Sequence, residues 1–520
     1  MSSQAQFQDV VLTLATANGA TPEARLLAAA VMLQFKVLQG EEEAWLAHLA
    51  RQSQDPLVKA LVRDIARLRA MLAAAVQGPP DAFEKTLRTL EVRQQDLVRI
   101  SPGYDSRLRV LGAGFDDVRA ALAPGGVLVE FRAFEPVDVA TGDLGATRFA
   151  ALLVTGSGEP AVADLGPVSE LAPLVAALGA GVEVPGRGLA PQATPATRVS
   201  GDEAAQQLYG RLTAPFKDAL AAAGSVYLAP DGILDLAPFA RLRRSGGGYW
   251  FEAQELHVLQ TGRDLLRPGA DRPAHGLVAL GGIDFESGAA AHEPDDAVFA
   301  AVRSDRKAAV DRAARVFRLG FPPLPATADE ATEVTALFKK RHADEPAELW
   351  SGTQASKARL MALPSPPRVL HLATHGFYLP NQSREPMLLS GIALAGANRD
   401  VTGAGSEGLL FALEAEGLNL DGTELVVLSA CDTAKGTVDY SEGVFGLARA
   451  LRTAGARNVL VTLWPLDDVL ARDFMADFYR NWLADGHGDP AKALRDTQRQ
   501  WIRQASRSAP SAWAPYVVIE

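Results

Sequence analysis

Two stretches, VLHLATHGF at residues 369–377 and LVVLSACDT at residues 425–433, decide how this chain is read. Each opens with a run of six mostly apolar residues, and each run empties into a reactive side chain, His375 in the first and Cys431 in the second. A short apolar run bounded by turn residues reads as a strand buried on both faces. A third run of the kind lies at 458–463 and a strand at 276–280 opens the section, while helical stretches are expected near 442–454, 467–483 and 490–503. Ser441 is a candidate cap and Gly455 a candidate stop for the first of these helices, and Asp489-Pro490 opens the last. Strands alternating with helices imply a parallel sheet covered by helices, an α/β fold. In such a sheet the carboxyl ends of the strands share one edge, where sites form.

His375 and Cys431 are thereby brought to one rim. A histidine beside a thiol lowers its pKa and shuttles protons, which makes a nucleophile for attack on an amide carbonyl. Gly376 follows the histidine, and with no Cβ its N–H can approach a substrate oxygen closely. The competing reading makes Cys431 a buried small hydrophobe.

Upstream the texture differs. The first hundred residues are helical, with Thr21 and Asp55 as caps, each followed by proline at the first helical position. Leu57, Leu61, Ile65, Leu68 and Leu72 recur at helical spacing, as do Phe83, Leu87, Leu90 and Leu97 after the 78–80 break. No fixed period marks them as repeats. From residue 101 short β-rich runs appear, such as 127–134 and 148–155. Segments 286–323, polar and charged, and 396–408, rich in glycine, read as mobile excursions.

Composition removes several classes. The chain has 520 residues, 51 Lys+Arg against 62 Asp+Glu for a net charge of −11, 48% hydrophobic residues and one cysteine. The length suits about three domains, and a net negative chain is a poor general nucleic-acid binder. One cysteine supplies neither an internal disulfide nor a clustered-thiol zinc site, and suits a reducing cytoplasm. No signal peptide or membrane span is expected. There is no Gly-x-Ser-x-Gly elbow and no Gly-Lys phosphate loop. Gly403, Gly405 and Gly408 match a dinucleotide fingerprint but follow a polar loop rather than a strand. His371 and His375, four apart on a strand, would lie ~13 Å apart, too far to share a metal ion. No metal and no cofactor is expected.

The separation of His375 and Cys431, 431 − 375 = 56 residues, is close to the roughly 50 by which caspases place histidine before cysteine. The segments 369–377 and 425–433, with EGVFGLAR at 442–449, NVLVTLWPLDD at 458–468 and WAPYVVI at 513–519, closely resemble the CHAT-domain caspase-like peptidases, relatives of separase. VYLAPDGILDLAPF at 226–239 resembles the family's upstream half, so the resemblance covers roughly 101–520. It implies a caspase-like active half at 269–520, preceded by an inactive caspase-like half at 105–268 and by a helical arm at 1–104. The absence of histidine and cysteine from 101 to 256 agrees with an inactive first half.

Carried over, His375 is the general base, Cys431 the nucleophile, and the N–H groups of Gly376 and Cys431 the oxyanion hole. His371 resembles a second family histidine and is expected to be structural. Trp464, Asp467 and Asp468 stand where separase receives an arginine side chain, with Asp432 as a further pocket candidate; a carboxylate there would favour a basic P1 residue. The alternative for Asp467 is to cap the following helix. The expectation is a cytoplasmic cysteine endopeptidase acting on a protein partner. The resemblance implies a regulator received by the helical arm and a setting such as bacterial defence, where gasdermin-like pore formers are among the family's substrates. A catalytically silent scaffold and a small-molecule thiol acyltransferase or amidase remain as alternatives.

Overall fold

The computed structural model describes residues 3–35, 46, 49–50, 53, 55–75, 80–179, 200–267, 273–288, 303–317, 319–379, 390–402, 407–430, 440–464, 466–484 and 488–520. Among these the strands are β1 (Gly126–Phe134), β2 (Arg148–Thr155), β3 (Ala161–Pro167), β4 (Ser225–Ala229), β5 (Glu255–Val258), β6 (Leu277–Ile283), β7 (Ala347–Gly352), β8 (Val369–Thr374), β9 (Gly376–Tyr378), β10 (Ser390–Ala393), β11 (Leu409–Phe411), β12 (Leu425–Ala430), β13 (Asn458–Thr462) and β14 (Tyr516–Ile519). Eleven of them form one sheet in the order β3-β2-β1-β4-β5-β14-β13-β12-β8-β6-β7, and β11-β10-β9 form a small second sheet. This is the expected α/β architecture, a largely parallel sheet covered by helices.

All six residues of β8 and all five of β13 are buried, as expected of strands covered on both faces. The helices Tyr440–Thr453, Asp468–Ala484 and Pro490–Ile502 fall where the sequence places them. The first starts one residue ahead of Ser441. It stops at Gly455, whose φ of 116° no side chain tolerates easily and whose missing Cβ leaves room for the Asp421 backbone. The Asp489 carboxylate accepts the Ala491 N–H at 2.9 Å, a cap on the last helix. Thr21 and Asp55 likewise accept N–H groups of Ala24 and Leu57.

The sheet has two parallel blocks, β1-β4-β5 and β13-β12-β8-β6-β7, with β14 between them. Strand β14 pairs antiparallel with β13 over four residues and parallel with β5 through Ile519 and Val258. The two blocks therefore run in opposite directions, and the carboxyl ends of their strands leave the sheet at opposite edges. A buried ion pair ties the blocks on the flank of that seam: Arg452 reaches Asp264 at 2.8 Å and donates to the carbonyls of Arg457 and Ile519. Burial works to raise the Asp264 carboxyl, but Arg452 and Arg267, with the Thr261 N–H, overcome it and hold the group below its ordinary value.

The first two helices, Ser3–Thr16 and Pro22–Phe35, lie on one face of the first block, where Leu12, Ala29 and Leu33 meet Leu128, Leu152 and Ala229. The pair Pro56–Ala75 and Pro80–Ile100 forms a separate apolar cluster around Ile65, Leu97 and Tyr104. No helix among the described residues is long and apolar enough to cross a membrane.

Both expected excursions need correction. Within 286–323 the chain forms the helix Arg303–Val316, because Ala309 and Ala313, one turn apart, are fully buried beneath its charged face. Within 396–408 the helix Ala397–Val401 is buried, and the Asp400 carboxylate accepts the N–H groups of Gly408 and Leu409 at 2.9 and 3.0 Å. Residues 403–406, part of the glycine-rich match set aside above, lie outside the described residues.

Removing one partner of the Asp264–Arg452 pair strands a buried charge, and Asp264→Asn is expected to cost about 3–5 kcal/mol in urea unfolding at pH 7. Because the native carboxyl titrates below its unfolded value of ~3.9, its contribution is fully present above that pH and is lost as pH falls through the native value. The gap between parent and variant should therefore narrow in acid; a gap that stays constant down to about pH 3 would contradict the assignment.

Candidate active site

The register of β12 on β8 runs Leu425 with Val369 through Ala430 with Thr374. His375 directly follows one member of the last pair, and Cys431 directly follows the other. The two strands they follow belong to the second block and end at its carboxyl edge. Cys431 and Asp432 themselves lie outside the described residues.

His375 is fully buried at the junction of β8 and β9. Its carbonyl accepts the Ala393 N–H at 2.9 Å, which anchors the junction to β10. Its Nε2 donates to the carbonyl of Pro322 at 2.6 Å, since a carbonyl oxygen can only accept. That bond puts the proton of the neutral ring on Nε2 and the basic lone pair on Nδ1. The rings of Phe285 and Phe321 lie 5.1 and 5.6 Å from the imidazole and make its surroundings apolar. Gly376 begins β9 and pairs with Ile392.

Beneath the same strand ends is a small cavity lined by Leu324, Thr327, Glu330, Thr374, Ser429, Leu466, Asp468 and Ala471. Thr374 is the last residue of β8 and Ser429 the last but one of β12, so the cavity lies beside the rim that carries His375. Of the expected pocket residues, Asp468 lines it. Asp467 is turned to the following helix, where its carboxylate accepts the N–H groups of Val469 and Leu470 at 3.0 and 3.1 Å. Trp464 is buried, packs near Gly179 of the first block, and is not among the lining residues.

Glu330 is the residue that sequence reasoning missed. It sits on the helix Ala326–Arg341, is 2% exposed, and lies 3.1 Å from His371 Nε2, a close approach rather than an aligned hydrogen bond. On the other side of that ring, Nδ1 is 3.2 Å from the Tyr479 hydroxyl. Burial, and then the Glu330 charge, raise the Tyr479 phenol well above its ordinary value of 10.0, so the hydroxyl keeps its proton and donates. His371 is thus packed between a donor and a carboxylate. No local pattern links His371 to Glu330, 41 residues away.

Pro322 was also invisible in advance, because it acts through its backbone, which every residue type possesses. At the equivalent edge of the first block, Asp231 follows β4 and accepts the Ala133 N–H of β1 at 2.8 Å, a structural tie in place of a reactive pair.

The CHAT domain family matches residues 202–520, well over half of the chain. Tetratricopeptide repeat protein 28 of Mus musculus is 27% identical over 221 residues, covering 38% of this chain and 8% of the relative; its Homo sapiens counterpart is 26% identical over the same length and coverage. The chain thus spans less than a tenth of these relatives. Two crystal structures of the Saccharomyces cerevisiae separase–securin complex align with 95% of this chain and 37% of theirs at 9% identity, with TM-scores of 0.39 and 0.41.

Tyr479→Phe leaves the buried His371 Nδ1 without its donor and is expected to cost about 1–3 kcal/mol in urea unfolding. Unchanged stability would show that the phenol does not serve the histidine.

Proposed function

The chain belongs to the CHAT-domain family, and on that premise we propose that it is a cysteine endopeptidase whose Cys431 and His375 form the catalytic dyad. The observation that carries the reading is the β8–β12 register, which makes the two residues successors of the paired Thr374 and Ala430. The tautomer of His375 supports it, because the Pro322 carbonyl holds the Nε2 proton and leaves Nδ1 as the base.

In the proposed cycle Nδ1 takes the Sγ proton and the thiolate attacks the scissile carbonyl carbon. The tetrahedral oxyanion is received by the N–H groups of Gly376 and Cys431. The imidazolium returns its proton to the leaving amine as the C–N bond breaks, which leaves a thioester. Water then attacks the thioester with His375 again as base, giving the acid and the free thiol.

The proposed substrate preference draws support from the cavity at the rim. Asp468 and Glu330 line one small space, and two carboxylates match the donor fork of an arginine or the ammonium of a lysine at P1. We place a regulatory partner on the helical pair of residues 56–100, whose outward residues include Leu57, Met71 and Val92.

Cys431→Ala is expected to abolish cleavage in a proteome-wide survey of cut sites, and equal processing by parent and variant would reject the peptidase reading. In the same survey the parent is expected to cut after Arg or Lys. Asp468→Asn and Glu330→Gln should each lower kcat/KM on such sites by about 10- to 100-fold, the worth of one hydrogen bond to a charged group. Cut sites with only aliphatic P1 residues would remove the pocket assignment while leaving the dyad intact.

A further inference from the structure

We infer that Asn398 is a positioning residue for His375, tying together the two chain segments that carry Phe285, Phe321 and Pro322 beside the imidazole; the inference rests on the dyad reading above. Asn398 lies on the helix Ala397–Val401 and is 6% exposed. Its side-chain amide pairs with both backbone groups of Phe321: Oδ1 accepts the Phe321 N–H at 2.6 Å and Nδ2 donates to the Phe321 carbonyl at 3.2 Å. Its own N–H donates to the Phe285 carbonyl at 2.9 Å, and Nδ2 also donates to Glu286 Oε1 at 2.7 Å.

One residue therefore grips two separate chain segments, 285–286 and 321. Those segments carry the two phenylalanine rings flanking His375, and the carbonyl that takes the Nε2 proton belongs to Pro322, the next residue after the gripped peptide. The bidentate grip works like one rung of a β-ladder supplied by a side chain, and it fixes the peptide plane on one side of Pro322. Gly320 makes it possible. It has φ +70° and a Cβ there would come within 2.7 Å of Asn398 Oδ1, so only glycine lets the loop close on the amide. Asn398 touches no reacting atom. It acts through the carbonyl that orients the base, where a displacement of about 1 Å can cost two orders of magnitude in rate.

The test follows alkylation of the single cysteine by iodoacetamide from about pH 5 to 10, on the full chain and on His375→Ala, Asn398→Ala and Asn398→Asp. In the parent, Cys431 is expected to react with an apparent pKa below the ~8.5 of an ordinary thiol, and His375→Ala to restore that value. Asn398→Ala is expected to move the profile most of the way toward His375→Ala. It should also lower kcat by about 10- to 100-fold with KM nearly unchanged. Asn398→Asp keeps the acceptor for the Phe321 N–H but loses the donor, so its profile should fall between those of the parent and Asn398→Ala. Circular dichroism and thermal melting establish folding, and if Asn398→Ala does not fold, Asn398→Asp alone decides. A shifted parent profile that the folded Asn398 variants leave in place overturns the inference and keeps the dyad. A parent profile identical to that of His375→Ala overturns the dyad and the inference with it.

Discussion

Four residues, Tyr516–Ile519, hydrogen-bond along one edge to β13 running antiparallel and meet β5 on the other edge running parallel. A strand with both edges occupied in opposite senses forces the two parallel blocks to run against each other. The carboxyl ends of β8 and β12 then leave the sheet on the side opposite to those of β1 and β4, so only the second block's loops build the candidate active site. The buried Asp264–Arg452 pair sits beside this seam, with Arg452 also donating to the Ile519 carbonyl of β14. A charge pair in so dry a place adds less by its attraction than it would cost if either partner were lost, which makes the seam intolerant of change.

The rim of the second block divides into two neighbourhoods with opposite character. Around His375 the surroundings are aromatic and its Nε2 proton is held by a backbone carbonyl, which fixes the orientation of the ring. Around the cavity, carboxylates from two different helices face one space. Keeping these apart matters chemically. A carboxylate against His375 would favour its protonated form, whereas Glu330 in the cavity wall lies against His371 instead. His371, four residues upstream and within β8, carries this contact, and Tyr479 completes its packing.

Much of this was legible in advance because strand runs are local. The boundaries of β8 and β12 were read to the residue, and the helices from 440 to 502 nearly so, since apolar run length, Gly455 and the Asp489-Pro490 pair are all encoded within a few neighbours. The 286–323 segment was misread for the same reason. Its charged face dominates a short window, while its two buried alanines are small enough to leave little trace in hydropathy. Asp467 and Asp468 show the resolution limit of such reading: adjacent and identical in type, one caps a helix and the other lines the cavity, and only the helix phase separates them.

By itself the sequence determined that a thiol and an imidazole each follow a buried strand, and that residues 101–256 contain neither group. Those are properties of residue type and local pattern. Only the tertiary structure decided which groups attend them: Pro322 reaches His375 across 53 residues, Glu330 comes to His371 and Asp468 from a separate helix, and Asn398 grips a loop 77 residues distant. A backbone carbonyl has no sequence signature, and a long-range contact depends on strand order and helix rotation, which no short stretch of chain contains.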